Sequence, residues 1–111
     1  MKESDVVLAI FPQADGSVKN RPAIILRKMP PFGDLLVCGV STQLRQKVED
    51  FDEIIHPSDA DFAASGLVAE SLIRLGFLVS LPDKLIAGSI GSISLERHER
   101  LLKKLSDYLI K

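Results

Sequence analysis

Thiols, aromatic rings and histidines are all scarce in this chain, and each shortage closes off a class of function. The single cysteine, Cys38, sits among Leu36, Val37 and Val40, so it reads as a small core hydrophobe. With no second cysteine there is neither an internal disulfide nor a cysteine-rich metal site, which suits a reducing cytoplasm. Tryptophan is absent, and five Phe and one Tyr are the only large rings, which leaves few for stacking on bases. No apolar run approaches the ~20 residues that a membrane-crossing helix needs, and no basic stretch leads into an apolar one at the N-terminus. The expectation is a cytoplasmic chain without membrane contact. His56 lies in an acidic stretch and His98 in a helical pattern; neither has a recognisable partner, so both read as solvated or packing residues. A Gly-rich phosphate loop, His-Glu-x-x-His and Gly-x-Ser-x-Gly are all missing, and nothing points to a metal or a cofactor.

What is present fits one domain spanning residues 1–111, since a chain of 111 residues and 46% apolar content fills a single core and no more. The near-neutral net charge of −1 conceals an uneven distribution. Six basic residues, Lys19, Arg21, Arg27, Lys28, Arg45 and Lys47, share their stretch with one acid, Asp34. A polyanion would be met there. The stretch Glu49–Asp61 then carries six acids and no Lys or Arg, and the alternative for both charge runs is that they are ordinary solvated loops.

Along the chain, Val6–Phe11 is a β-branched and apolar run closed by Pro12 and the turn-forming Ala14-Asp15-Gly16-Ser17, which predicts a strand and a polar loop. Pro22–Leu26 predicts a second strand, entered through a proline that has no donor and so suits a strand's first residue. Leu35–Val40 predicts a third, with Gly39 marking a bulge or a close backbone approach. Glu49–His56 reads as a short edge strand, and Asp59–Ala64 as one helical turn. Leu67–Ile73, Phe77–Leu81 and Leu85–Ile90 are further apolar pieces, and no βαβ alternation appears. From Ser94, an N-cap, the period changes: Leu95, Leu101, Leu102, Leu105, Tyr108 and Leu109 recur at spacings of three and four, with Glu96, Arg97, Arg100 and Lys103 between them. This predicts an amphipathic C-terminal helix seamed against the sheet.

Ser4-Asp5-Val6-Val7-Leu8, Asp15-Gly16-Ser17, Asn20-Arg21-Pro22-Ala23-Ile24-Ile25-Leu26 and Val40-Ser41-Thr42-Gln43 resemble the N-terminal half of MazF/PemK-type toxins. Gly66-Leu67, Ser71-Leu72-Ile73-Arg74-Leu75 and Gly88-Ser89-Ile90-Gly91 are similar to the C-terminal half of the PemK-like members. The resemblance implies a mainly β fold, an SH3-like antiparallel β-barrel with a C-terminal helix. It implies a homodimer that cuts single-stranded RNA at short sequences, leaving a 2′,3′-cyclic phosphate and a 5′-hydroxyl, and a cognate antitoxin that competes for the same basic surface. Arg21 then matches the family's catalytic arginine and Ser41 its catalytic threonine, with Thr42 as the neighbouring hydroxyl. Serine keeps the hydroxyl and loses the methyl group that stiffens χ1.

Metal-free RNA cleavage asks little more of a protein. The ribose 2′-OH attacks the adjacent phosphorus, so the substrate brings its own nucleophile, and the protein aligns it and stabilises charge on phosphate oxygens. A guanidinium gives planar bidentate donation for that purpose. Lys19, Asn20, Arg27, Lys28, Gln43, Arg45 and Lys47 are the expected RNA-binding residues, and Phe32, in a Pro/Gly loop, is the expected exposed stacker. Two other functions fit the same fold: a CcdB-like gyrase poison acting through its C-terminal helix, and an RNA-binding member that does not cleave.

Overall fold

In the computed structural model the described residues are 1–12 and 14–111. Among them, six strands form one sheet: β1 (Asp5–Pro12), β2 (Val18–Met29), β3 (Asp34–Ser41), β4 (Glu53–Ile55), β5 (Ser71–Leu81) and β6 (Ile86–Ser92). A short helix α1 (Phe62–Ser65) precedes β5, and the long helix α2 (Leu95–Leu109) closes the chain. The strand order is β4-β5-β3-β2-β1-β6, and every neighbouring pair is antiparallel. The mainly β fold with a C-terminal helix is as the sequence predicts.

Connection length forces this sheet to curl. β5 and β6 stand four strands apart in the order, about 19 Å in a flat sheet at about 4.8 Å per step. Yet Pro82–Leu85, partly a 3-10 turn over Asp83–Leu85, joins them and reaches about 14 Å at most. The sheet therefore rolls until the end of β5 approaches the start of β6. It stays open, with β4 and β6 as unpaired edges.

Rolling buries both faces, which is why Val6-Val7 and Ala23–Leu26 are fully enclosed instead of alternating. Helix α2 covers one face, where Leu101 and Leu105 pack on Ile24, Leu26, Val40 and Ile73. Each of these leucines contributes about 1.5–3 kcal/mol by burial. On the other face Ala9, Phe11, Ile25, Val37, Leu81 and Ile86 form a second core inside the roll. No helix among the described residues is long and apolar enough to cross a membrane.

The helix begins where expected: the Ser94 Oγ accepts the Arg97 N–H at 3.1 Å. Its inner seam differs from the leucine stripe. Leu95 is 74% exposed, and Tyr108 and Leu109 also face solvent, while Arg97 and His98 are buried. The reason is ionic. Arg97 donates to Asp61 through Nε at 2.9 Å, to Glu53 through Nη1 at 2.9 Å and to Asp59 through Nη2 at 2.9 Å. Arg100 and Lys104 add contacts to Glu53 at 3.2 and 3.3 Å, and His98 Nε2 donates to the Leu26 carbonyl at 2.8 Å.

The acidic stretch is thus no plain solvated loop. Asp52, Glu53 and Asp61 are buried, and the Asp52 carboxylate accepts the N–H groups of Val48 and Leu75 at 2.9 and 3.0 Å. The edge strand there is shorter than Glu49–His56, because the Asp52 turn occupies its first half. Phe77–Leu81 and only the last three residues of Leu67–Ile73 prove to belong to one continuous strand, β5, with Gly76 inside it.

Burial by itself would raise the Asp61 carboxyl; the hydrogen bonds and charge of Arg97, with the Ser94 N–H, outweigh it and hold the group at about 2. A group lowered on folding contributes stability above its unfolded value, near 3.8, and loses it as the pH falls towards about 2. Urea titrations of the wild type are therefore expected to show falling stability across that window. Asp61→Asn should be less stable at pH 7 and flatter between pH 4 and 2. Arg97→Met, which strands buried carboxylates, should cost about 3–5 kcal/mol at pH 7.

Candidate active site

The face away from α2 carries a cleft of about 220 Å³ lined by Arg21, Ser41, Gln43, Gln46, Arg74 and Phe77, with Phe11 at its base. Strand register assembles it. Ala23 on β2 faces Gly39 on β3, so two residues further along each strand Arg21 and Ser41 stand level with one another. Gly39 in turn faces Arg74 on β5. Directly opposed residues of antiparallel strands share a face, and three polar side chains from three strands therefore meet.

The β3–β5 ladder is broken at this point. Cys38 pairs with Leu78, but the next residue, Gly39, pairs with Arg74, leaving Leu75, Gly76 and Phe77 looped out of register. Such a bulge re-aims side chains. Regular alternation would send Arg74 and Phe77, three apart, to opposite faces; here the Arg74 guanidinium lies 5.9 Å from the Phe77 ring centroid. Phe11 meets the same ring edge-on at 5.5 Å and 77°.

Neither Arg21 nor Arg74 has a carboxylate partner among the described residues, in contrast to Arg97 with three. The cleft lining holds no Asp, Glu or His. Ser41 ends β3 in a hydroxyl turn, its Oγ accepting the Gln43 N–H at 3.0 Å, which fixes the oxygen and leaves its proton to donate outward. Two uncompensated guanidiniums, one oriented hydroxyl and two amides form a site for an anionic group. The volume is below the about 300–1,000 Å³ of pockets that swallow whole small ligands, which suits a ligand gripped one unit at a time.

The family model described as "PemK-like, MazF-like toxin of type II toxin-antitoxin system" matches residues 2–109. The chain belongs to this family. A toxin of such a system has an antitoxin for a partner. Among solved structures, the Mycobacterium tuberculosis toxin MazF-mt6 is similar over 96% of both chains, with a TM-score of 0.68 and 18% identity, a likeness of fold. No curated protein matches the sequence.

Of the residues the toxin resemblance points to, Arg21, Ser41 and Gln43 line the cleft, whereas Thr42 does not. Lys19 and Asn20 precede Arg21 on β2, opposite Phe11 and Ile10, and Arg45 lies between the cleft residues Gln43 and Gln46 in a 3-10 turn. The remaining basic residues go elsewhere. Arg27, about 20 Å along β2 at about 3.3 Å per residue, pairs with Glu3 at 3.3 Å and lines a groove against Leu102 and Leu109 of α2. The Lys28 N–H also binds Glu3. Lys47 pairs with Glu49 at 3.4 Å and borders the Arg97 cluster. Phe32, 89% exposed, tips the β2–β3 hairpin, at the other end of β2 from Arg21.

Three cleft residues escape the sequence reading of chemistry: Arg74, Gln46 and Phe77. A signal for two of them exists, since Arg74 interrupts the apolar run Ser71–Leu75 and the adjacent Gly76 marks a bulge. His56 and His98 do not line the cleft; they are bound to Glu70 and to the Leu26 carbonyl respectively.

Cys38 is fully buried, and burial pushes its thiol up to about 12. A thiol-reactive disulfide reagent at pH 8 is expected to leave Cys38 unmodified in the native protein and to label one thiol per chain after denaturation in guanidinium chloride.

Proposed function

We propose that the toxin is a metal-independent endoribonuclease that cuts single-stranded RNA at the Arg21–Ser41 cleft. The observation that carries this reading is the pair of guanidiniums, Arg21 and Arg74, left without carboxylates beside an oriented hydroxyl. A phosphodiester supplies the anion they lack. Arg21 donates to its non-bridging oxygens and stabilises the added charge as the 2′-OH attacks phosphorus. Ser41 hydrogen-bonds the phosphate or the attacking hydroxyl, and Arg74 neutralises the opposite side. Because the lining holds no carboxylate or imidazole, the catalytic contribution is alignment and electrostatic stabilisation above all. A guanidinium, with its pKa above about 12, is a reluctant acid. The new O2′–P bond forms as the P–O5′ bond breaks, the 2′ proton passes to solvent and the leaving 5′ oxygen takes one from solvent, so the products are a 2′,3′-cyclic phosphate and a 5′-hydroxyl.

Lys19, Asn20, Gln43 and Arg45 flank the cleft and track the strand on either side. The toxin works in the cytoplasm as a homodimer, and its antitoxin presents acidic and apolar segments to the same cationic surface.

The test is cleavage of a long single-stranded RNA in EDTA, with mass analysis of the ends. Wild type should cut and leave cyclic phosphate ends. Arg21→Ala should lower kcat about 10²–10³-fold, as the loss of one charge-stabilising donor does, and flatten the salt dependence of RNA binding by about 0.7 in log–log slope. Ser41→Thr should retain cutting and Ser41→Ala should lose most of it. Salt-sensitive binding without cutting, or gyrase inhibition without either, would replace this reading by one of its two competitors.

A further inference from the structure

We propose that Phe77 is the base-stacking platform of the cleft: an unpaired nucleobase next to the bound phosphate lies on its ring. The inference rests on the single-stranded RNA reading above and adds how that strand is gripped and which contact senses a base.

Three independent features build the platform. The looped-out Leu75–Phe77 segment turns the ring into the cleft on the same side as Arg74. Gly39 makes room for it: a Cβ there would stand 3.2 Å from the Phe77 Cγ, so any larger residue on β3 would push the ring away. Phe11, itself 7% exposed, braces the ring edge-on. A braced ring would ordinarily be core, yet Phe77 remains 39% exposed. Among the described residues lining the cleft, Phe77 is the exposed ring.

The Arg74 contact tells how the platform works. At 5.9 Å to the centroid the guanidinium is at the outer limit of a cation–π interaction, about 6 Å, and Arg74 has no carboxylate to hold it there. A phosphate draws Arg74 off the ring, and the base takes the vacated face. Exchange of a weak contact for a base–aromatic stack and a charged hydrogen bond couples phosphate binding to base binding. Stacking of this kind is worth about 5- to 150-fold in affinity per base and tolerates any base with a π-face.

The chain has no tryptophan, so Phe77→Trp places a single indole in the cleft. Cut sites are first mapped with wild type. A short RNA around one site, blocked by a 2′-deoxy sugar at the attacking position, then serves as a binding probe, alongside versions abasic at each flanking nucleotide. Indole fluorescence in Phe77→Trp should be quenched by the intact probe and by all abasic versions but one. For affinity, Phe77→Leu should weaken binding about 5- to 150-fold, the same abasic position should weaken wild type to a similar extent, and the two losses should not multiply when combined.

Multiplying losses, unchanged affinity in Phe77→Leu, or quenching indifferent to every abasic position would overturn the platform while cutting and Arg21-dependent binding stand. Should wild type neither cut nor bind RNA, the nuclease reading falls first and the platform with it. If Phe77→Leu does not fold, the Phe77→Trp fluorescence decides alone.

Discussion

The Arg97 guanidinium, seated among Glu53, Asp59 and Asp61, is the interaction on which the arrangement of this protein depends. It locks α2 to the edge strand β4 and to the turn before α1. An arginine so buried would cost several kcal/mol if unpaired, and so would the carboxylates without it; each makes the other's burial tolerable. Arg100 and Lys104 extend the clasp along the helix. With the helix fixed on one face, the rolled sheet is left with a single other face on which to place a site.

The clasp also apportions charge. Three of the acids that follow the basic segment in sequence, Glu53, Asp59 and Asp61, are taken up by the helix, away from the cleft lining. Arg21 and Arg74 consequently stay without carboxylates, and the cleft lining carries two guanidiniums and no acid although the chain as a whole carries −1. Under the proposed function, in which the cleft holds a polyanion, local separation of charge matters more than its total.

The ladders slip in register between β1 and β6, between β2 and β3, and between β3 and β5, and the last of these lies where function is proposed. The β3–β5 ladder runs regularly on either side of one break at Cys38/Gly39, and that break lies at the cleft. Gly39 is legible in sequence as a bulge or close-approach signal, and the structure makes it both: the register shifts there and the Phe77 ring packs against it. The segment Leu75–Phe77 was not legible as a cleft wall, because a bulge is a property of two strands and leaves no period in one. The helix start at Ser94 was legible from cap chemistry. Its buried face was not: hydrophobicity places Leu95, Tyr108 and Leu109 inward, whereas the carboxylates of a distant segment draw Arg97 inward and the Leu26 carbonyl holds His98 there.

Local chemistry in the chain by itself determined the strands Val6–Phe11 and Pro22–Leu26, the amphipathic helix with its cap, and the separation of a basic from an acidic segment. The resemblance to the toxin family, not local chemistry, supplied Arg21 and Ser41 as a pair, twenty positions apart. Tertiary structure alone decided that these two face one cleft, that Arg74 and Phe77 join them, and that Arg27 and Lys47 do not. The physical reason is register: which residues oppose one another across a ladder depends on turn lengths, bulges and the closing of both faces at once, and none of these is written in any short window of sequence.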